Sequence, residues 1–149
     1  MRAILGGLGL TAFVKTSGGK GLHVVVPLIP KLNWKQVHAA TGEIAERVAA
    51  EAADTFVTNM AKVKRRKRIF IDFHRNYRGA TAAAPYSLRA RTNLPASAPV
   101  NWSDLDSIDA PEDLNYSTLP GFLNNSGDPW AEMDEFASNL GQLAKPPKQ

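Results

Sequence analysis

The 149-residue chain contains no cysteine, which excludes disulfides and thiolate metal sites and fits a reducing compartment such as the cytoplasm. Long hydrophobic runs are missing too. Arg2 followed by Ala3–Val14 imitates the charged and apolar parts of a secretory signal, yet glycines interrupt it and Lys15 closes it. No small-x-small cleavage pattern follows, and nothing reaches the roughly 20 apolar residues of a membrane span. Acidic residues are scarce at first: residues 1–100 hold 5 Asp/Glu against 16 Lys/Arg. No Asp-x-Asp pair occurs among them. Residues 101–149 reverse the balance, with 9 acids against 2 bases. The net charge of +4 therefore hides a basic body and an acidic C-terminal part. Such a body suits a polyanionic partner, nucleotide or nucleic acid.

With 44% hydrophobic and 21% charged residues, the composition is that of an ordinary globular domain. The length suits one domain, expected over residues 1–145 with a frayed tail at 146–149. Arg2 to Leu8 reads as a helix with Gly9 at its end, followed by a short strand, Thr11 to Val14. The Val-rich run Leu22–Leu28 reads as a central strand buried on both faces. Asn33 caps a helix whose apolar positions are Trp34, Val37, Ile44, Val48 and Ala52; Gly42 weakens it without stopping it. Thr55 to Met60 reads as a short turn of helix, Ile69–Phe73 as a strand, and Thr81–Leu88 as a strand that Pro85 confines to an edge or bulge. Two short helices are expected, one after Ser103 and one around Trp130–Leu140.

Three stretches carry chemistry. Ser17-Gly18-Gly19-Lys20-Gly21 can present successive backbone N–H groups to a phosphate, because glycine permits the required conformations. The Ser17 hydroxyl, the Lys20 ammonium and the His23 imidazole add donors. It is not a Walker loop, since Gly21 stands where Ser or Thr must follow the lysine. A plain turn between strands, with His23 a core histidine, is the structural alternative. Asp72 interrupts an apolar strand, where a carboxylate is costly unless paired or bound to a cation. It is either an ion pair with Arg75 or Arg65, or a ligand for Mg²⁺ or Mn²⁺. Finally, the basic run Lys62–Arg68 and the later Arg75, Arg78, Arg89 and Arg91 form a guanidinium-rich stretch. Arg89 and Arg91, two apart on an extended segment, should point the same way and suit phosphate contacts.

Together TSGGKGLHVVVPL, RIFIDFHRN and RGATAAAPYSLRAR, continuing to GDPWAEMD near residue 130, resemble the polymerase module of bacterial ligase D, of the archaeo-eukaryotic primase superfamily. The resemblance implies an α+β fold, a mostly antiparallel sheet with flanking helices forming the C-terminal part of a primase-type catalytic domain. It implies template-directed nucleotide addition and gap filling in non-homologous end joining, favouring ribonucleotides and Mn²⁺ (or Mg²⁺). By the same resemblance Ser17, Gly18, Gly19, Lys20, His23, Arg65 and Arg75 handle the triphosphate of an NTP. Asp72 is a catalytic metal ligand, and Arg89 and Arg91 contact DNA. The implied partners are NTP, DNA ends or gapped DNA, an upstream polymerase portion and ligase or end-binding proteins, in the bacterial cytoplasm at the nucleoid.

The family's first motif, an Asp-x-Asp pair on a strand, lies upstream of the helix with which this chain begins. Two-metal nucleotidyl transfer needs carboxylates bridging both ions, so weak or no activity is expected of the chain alone. Two alternatives are a non-catalytic phosphate-binding remnant and a truncated fragment. Asp104-Leu105-Asp106 does not replace the missing pair; Ser103 reads as an N-cap with acids in the first helical turn. No KxDG adenylation motif is present, so strand joining is not expected.

Overall fold

The computed structural model describes residues 1–141; the expected frayed tail lies outside them. Within the span read as one domain the chain packs as two compact units. One comprises Met1–Gly9, Leu28–Ala82 and the segment from Ser138; the other comprises Leu10–Pro27 and Ala83–Ala137.

The first unit begins with α1 (Arg2–Gly7), and Gly9 follows with φ +73°, a conformation that favours glycine. Its long helix, α2 (Trp34–Glu51), starts as expected at Asn33. Asn33 Oδ1 accepts from Gln36 N at 3.0 Å, and Gln36 Oε1 accepts from Asn33 N at 2.9 Å. This reciprocal box satisfies two N–H groups that the helix cannot. The buried face runs through Ala40, Ala45 and Val48, whereas Trp34 is exposed; the expected stripe therefore holds only from its middle onward. Gly42 has a packing reason. A Cβ there would lie 3.1 Å from the Phe73 ring, so the missing side chain makes room for that ring.

After α2 comes β3 (Phe56–Val57), which pairs in parallel with β4 (Ile69–Phe70). The expected helical turn at Thr55–Met60 is thus a strand. Ile69 N donates to Thr55 O at 2.7 Å and Ile71 N to Val57 O at 2.9 Å, and an aromatic followed by a β-branched residue suits the pleat. The strand over Ile69–Phe73 is shorter than expected, ending at Phe70, so Asp72 stands just beyond it. Between β3 and β4 the basic run forms a single 3₁₀ turn, Lys62–Arg65.

The second unit is built on an antiparallel sheet ordered β2-β1-β7, with β1 at Phe13–Thr16, β2 at Leu22–Val25 and β7 at Pro99–Val100. β1, not β2, is central. The Val-rich strand is shorter than expected and lies at an edge, with Leu22 half exposed. Its hydrophobicity had suggested two covered faces, but β7 takes the other side of β1. A second antiparallel pair joins β5 (Ser87–Leu88) to β6 (Ala96–Ser97). The strand expected over Thr81–Leu88 is confined to those two residues, because Pro85 cannot donate and Tyr86 sits at φ +62°.

The core of this unit gathers Val14, Ala96, Ala98, Val100, Leu114 and Leu119. Two indoles tie to the backbone on or near β1: Trp102 Nε1 donates to Ala12 O at 2.7 Å and Trp130 Nε1 to Val14 O at 3.2 Å. Helix α3 (Leu119–Ser126), which carries Pro120 in its first turn, was not foreseen. The helices expected after Ser103 and around Trp130 are 3₁₀ turns, Trp102–Ser107 and Met133–Phe136. The cap of the former is Asn101, not Ser103, and its N–H donates to Asp104 Oδ2 at 2.9 Å. Asp104 is thereby occupied as a capping carboxylate.

Candidate functional site

In the second unit the antiparallel register of β1 and β2 sets Thr16 opposite Leu22, and Ser17–Gly21 makes the connection. Ser17 closes this turn twice: its N–H and its hydroxyl both donate to Gly21 O, at 3.1 and 2.7 Å. Gly18 is buried at φ +61°. A Cβ on it would come within 3.0 Å of Pro95 O and closer still to Arg89 Cγ. A Cβ on Gly19 would meet Arg91 Nη1 at 3.3 Å. Glycine is therefore required at Gly18 by both conformation and space. Arg89 Nη1 also donates to Ser17 O at 3.1 Å. The two arginines thus converge on one glycine turn, but not along the extended segment expected: Arg91 N donates to Arg89 O at 2.7 Å, so the chain turns between them. Lys20 is exposed at its tip, and His23 lies on β2 opposite Lys15.

Lys15 was missed by sequence reasoning, which saw it only as the end of an apolar run. It is 3% exposed. Its ammonium donates to Ala83 O at 2.9 Å and to the Ser97 hydroxyl. Burial, and then the charge of Arg89, push its pKa down to about 8. A lysine on a buried central strand is the signal that could have found it. Nearby, Tyr86 donates its hydroxyl to Asp128 Oδ1. Burial and that carboxylate push the phenol pKa upward.

In the first unit Asp72 is exposed rather than sunk in an apolar strand. Its carboxylate accepts from His74 N at 3.2 Å and from Arg75 Nε at 3.3 Å. Arg75 also donates to Thr81 O at 3.1 Å. The partner of Asp72 is thus Arg75, not Arg65. Arg65 turns its Nε and Nη2 to Met60 O, the former at 2.9 Å, and lies 4.1 Å above the Phe70 ring. That guanidinium helps hold the basic turn. Beside Asp72, the rings of Phe73, His74 and Tyr77 gather round His38 at centroid distances of 5.3, 5.8 and 5.9 Å.

Mn²⁺ or Mg²⁺ requires several hard oxygens, and among the described residues no group of three His, Cys, Asp or Glu side chains is placed to hold an ion. Asp72 can offer one carboxylate, already engaged by Arg75. The described residues do not by themselves fit a two-metal site.

A glycine turn backed by two arginines thus stands on an antiparallel sheet within a mixed α+β architecture. The family model of the LigD primase-polymerase domain matches residues 1–130, and the chain belongs to that family. It is 40% identical over 131 residues to the multifunctional non-homologous end joining protein LigD of Pseudomonas aeruginosa, covering 87% of this chain and 16% of that protein. It is 30% identical over 145 residues to the LigD DNA repair protein of Mycobacterium tuberculosis, covering 97% of this chain and 19% of the relative. The chain therefore spans under a fifth of these relatives. A solved structure, the polymerase domain of Mycobacterium tuberculosis ligase D in complex with DNA, is similar with a TM-score of 0.80 and 31% identity. That match covers 92% of this chain and 47% of the other. No helix among the described residues is long and apolar enough to cross a membrane.

Proposed function

We propose that this chain serves template-directed nucleotide addition at gapped DNA or DNA ends, in double-strand break repair by non-homologous end joining. The observation that supports this reading is the convergence of Arg89 and Arg91 on Gly18 and Gly19. Backbone N–H groups and two guanidiniums at one turn suit phosphate oxygens. Ser17, Gly18, Gly19, Lys20 and His23 receive the triphosphate of an NTP. Arg89 and Arg91 extend the cationic surface toward DNA phosphates. Arg75 holds Asp72, the carboxylate offered to Mn²⁺ or Mg²⁺, while Arg65 acts through the basic turn it stabilises. The likeness to a polymerase domain in complex with DNA supports DNA as partner. The names of the relatives support end-joining factors as further partners, in the bacterial cytoplasm at the nucleoid.

A second reading, phosphate binding without chemistry, is favoured by the lack of a three-ligand cluster among the described residues. Nucleotidyl transfer by two metals needs carboxylates beyond Asp72. Primer extension on gapped DNA with Mn²⁺ and ribonucleotides, by the 149-residue chain beside Asp72→Ala, separates the two. We expect salt-sensitive nucleotide and DNA binding, with little or no extension by the chain alone. Extension restored by adding a polypeptide that supplies carboxylates supports the polymerase reading; binding never accompanied by extension under that supplement supports the second. Absence of nucleotide and DNA binding overturns both.

A further inference from the structure

Among the described residues, Lys15 is a buried cation with no carboxylate partner. Its ammonium meets three neutral oxygens, those of Ala83 O, Ser97 Oγ and, at 3.5 Å, Thr16 O. Such burial is unfavourable unless something compensates the charge. The groups around it are held in turn. Ser97 Oγ donates to Thr16 O at 3.1 Å; Thr16 Oγ1 donates to Ala96 O at 2.8 Å and accepts from Ala98 N at 2.9 Å. One step along, Arg89 N donates to Pro95 O at 2.9 Å and Arg89 Nη1 returns to Ser17 O. A closed circuit therefore runs from Lys15 through Ser97 and the Pro95–Ser97 backbone to Arg89, and back to the first residue of the glycine turn.

We propose that Lys15 is a positioning residue for phosphate binding: its buried ammonium clamps the base of the Ser17–Gly21 turn to Ser97 and supplies a positive charge that a bound phosphate compensates. The inference rests on the reading of that turn as the phosphate holder. Lys15 and the half-buried Arg89 repel each other, and an anion at the turn neutralises both. The lowered pKa of about 8 gives the sign. Below it the amine is charged and favours the anion; as pH rises through it, that attraction is lost. Bound phosphate in turn raises the pKa of the amine, so binding takes up protons. Among the described residues, the charged and titratable groups beside Lys15 are Arg89 and, opposite it on β2, His23; on its other side β7 presents Pro99. β6 and the Ala83 segment offer only neutral oxygens.

The test is titration calorimetry of the whole chain with ATP in EDTA from pH 7.5 to 9.5, with amide hydrogen exchange of the ligand-free turn. Wild-type affinity should fall about tenfold across that range, as expected when one nearby charge is lost. Lys15→Arg, charged throughout, should give a flat profile. Lys15→Met should bind about tenfold more weakly at pH 7.5. Ser97→Ala keeps the ammonium but loosens its seat; it should weaken binding a few-fold and speed exchange at Ser17–Gly21. Should Lys15→Met fail to fold, Ser97→Ala and the two pH profiles decide. Wild-type ATP binding that ignores Ser97→Ala and has the same pH profile as Lys15→Arg overturns the role of Lys15 alone. Absence of wild-type ATP binding overturns the phosphate reading, and with it the electrostatic role, even where Ser97→Ala still speeds exchange.

Discussion

The glycine-turn region and the Asp72 region were both marked by sequence as chemical, but they are built differently. At the turn, Gly18 is buried, Ser17 bonds across it, and Arg89 and Lys15 are anchored through a network whose central members are fully covered. At Asp72 the carboxylate stands in solvent, held by one backbone N–H and one arginine. A phosphate holder needs donors fixed beforehand, and backbone amides and buried polar contacts provide that from one short segment. A metal site needs several carboxylates from separate segments. The turn is pre-formed in this chain, whereas Asp72 belongs to no group of three metal-type side chains among the described residues.

The sharpest way to break this contrast is at Gly18. Its φ of +61° and the 3.0 Å approach of Pro95 O should make Gly18→Val cost about 2–4 kcal/mol in a urea melt. Gly21, with nothing within 4 Å of an added Cβ, should tolerate Ala within about 0.5 kcal/mol. Equal losses at the two positions would contradict a specifically packed turn. Next, Arg89→Ala should weaken ATP binding by calorimetry about tenfold, the size expected for one charge-assisted contact. In the first unit, Asn33→Ala removes the cap that accepts from Gln36 N and should cost about 1 kcal/mol. Smallest of all, Asp72→Asn breaks an exposed pair with Arg75 and should shift stability by under about 0.5 kcal/mol. A loss several times larger would mean that Asp72 is a structural residue after all.

The sequence made the capped helix plain, because Asn33 and Gln36 act within one turn and need nothing from the rest of the fold. It also marked the glycine turn and the arginines Arg89 and Arg91, although the segment between them turns, with Arg91 N donating to Arg89 O, rather than running extended. What it hid depends on distant partners. The Val-rich run at Leu22 resembles a central strand, and only the pairing of β1 with β7 shows it to be an edge. Phe56–Val57 becomes a strand because Ile69–Phe70 runs beside it, and two residues carry no period that would announce this. Lys15 reads only as the end of an apolar run; its buried partner Ser97 stands eighty-two positions away. Asp72 misled in the other direction, since apolar neighbours in sequence do not bury a carboxylate once the strand ends at Phe70.

The most direct test is ATP titration of the wild-type chain and of Asp72→Ala, each with EDTA and with Mn²⁺. A pre-formed phosphate holder should bind ATP in EDTA and should keep that binding in Asp72→Ala. ATP binding seen only with Mn²⁺ and abolished by Asp72→Ala would contradict it, showing that the carboxylate, rather than the glycine turn, organises the site.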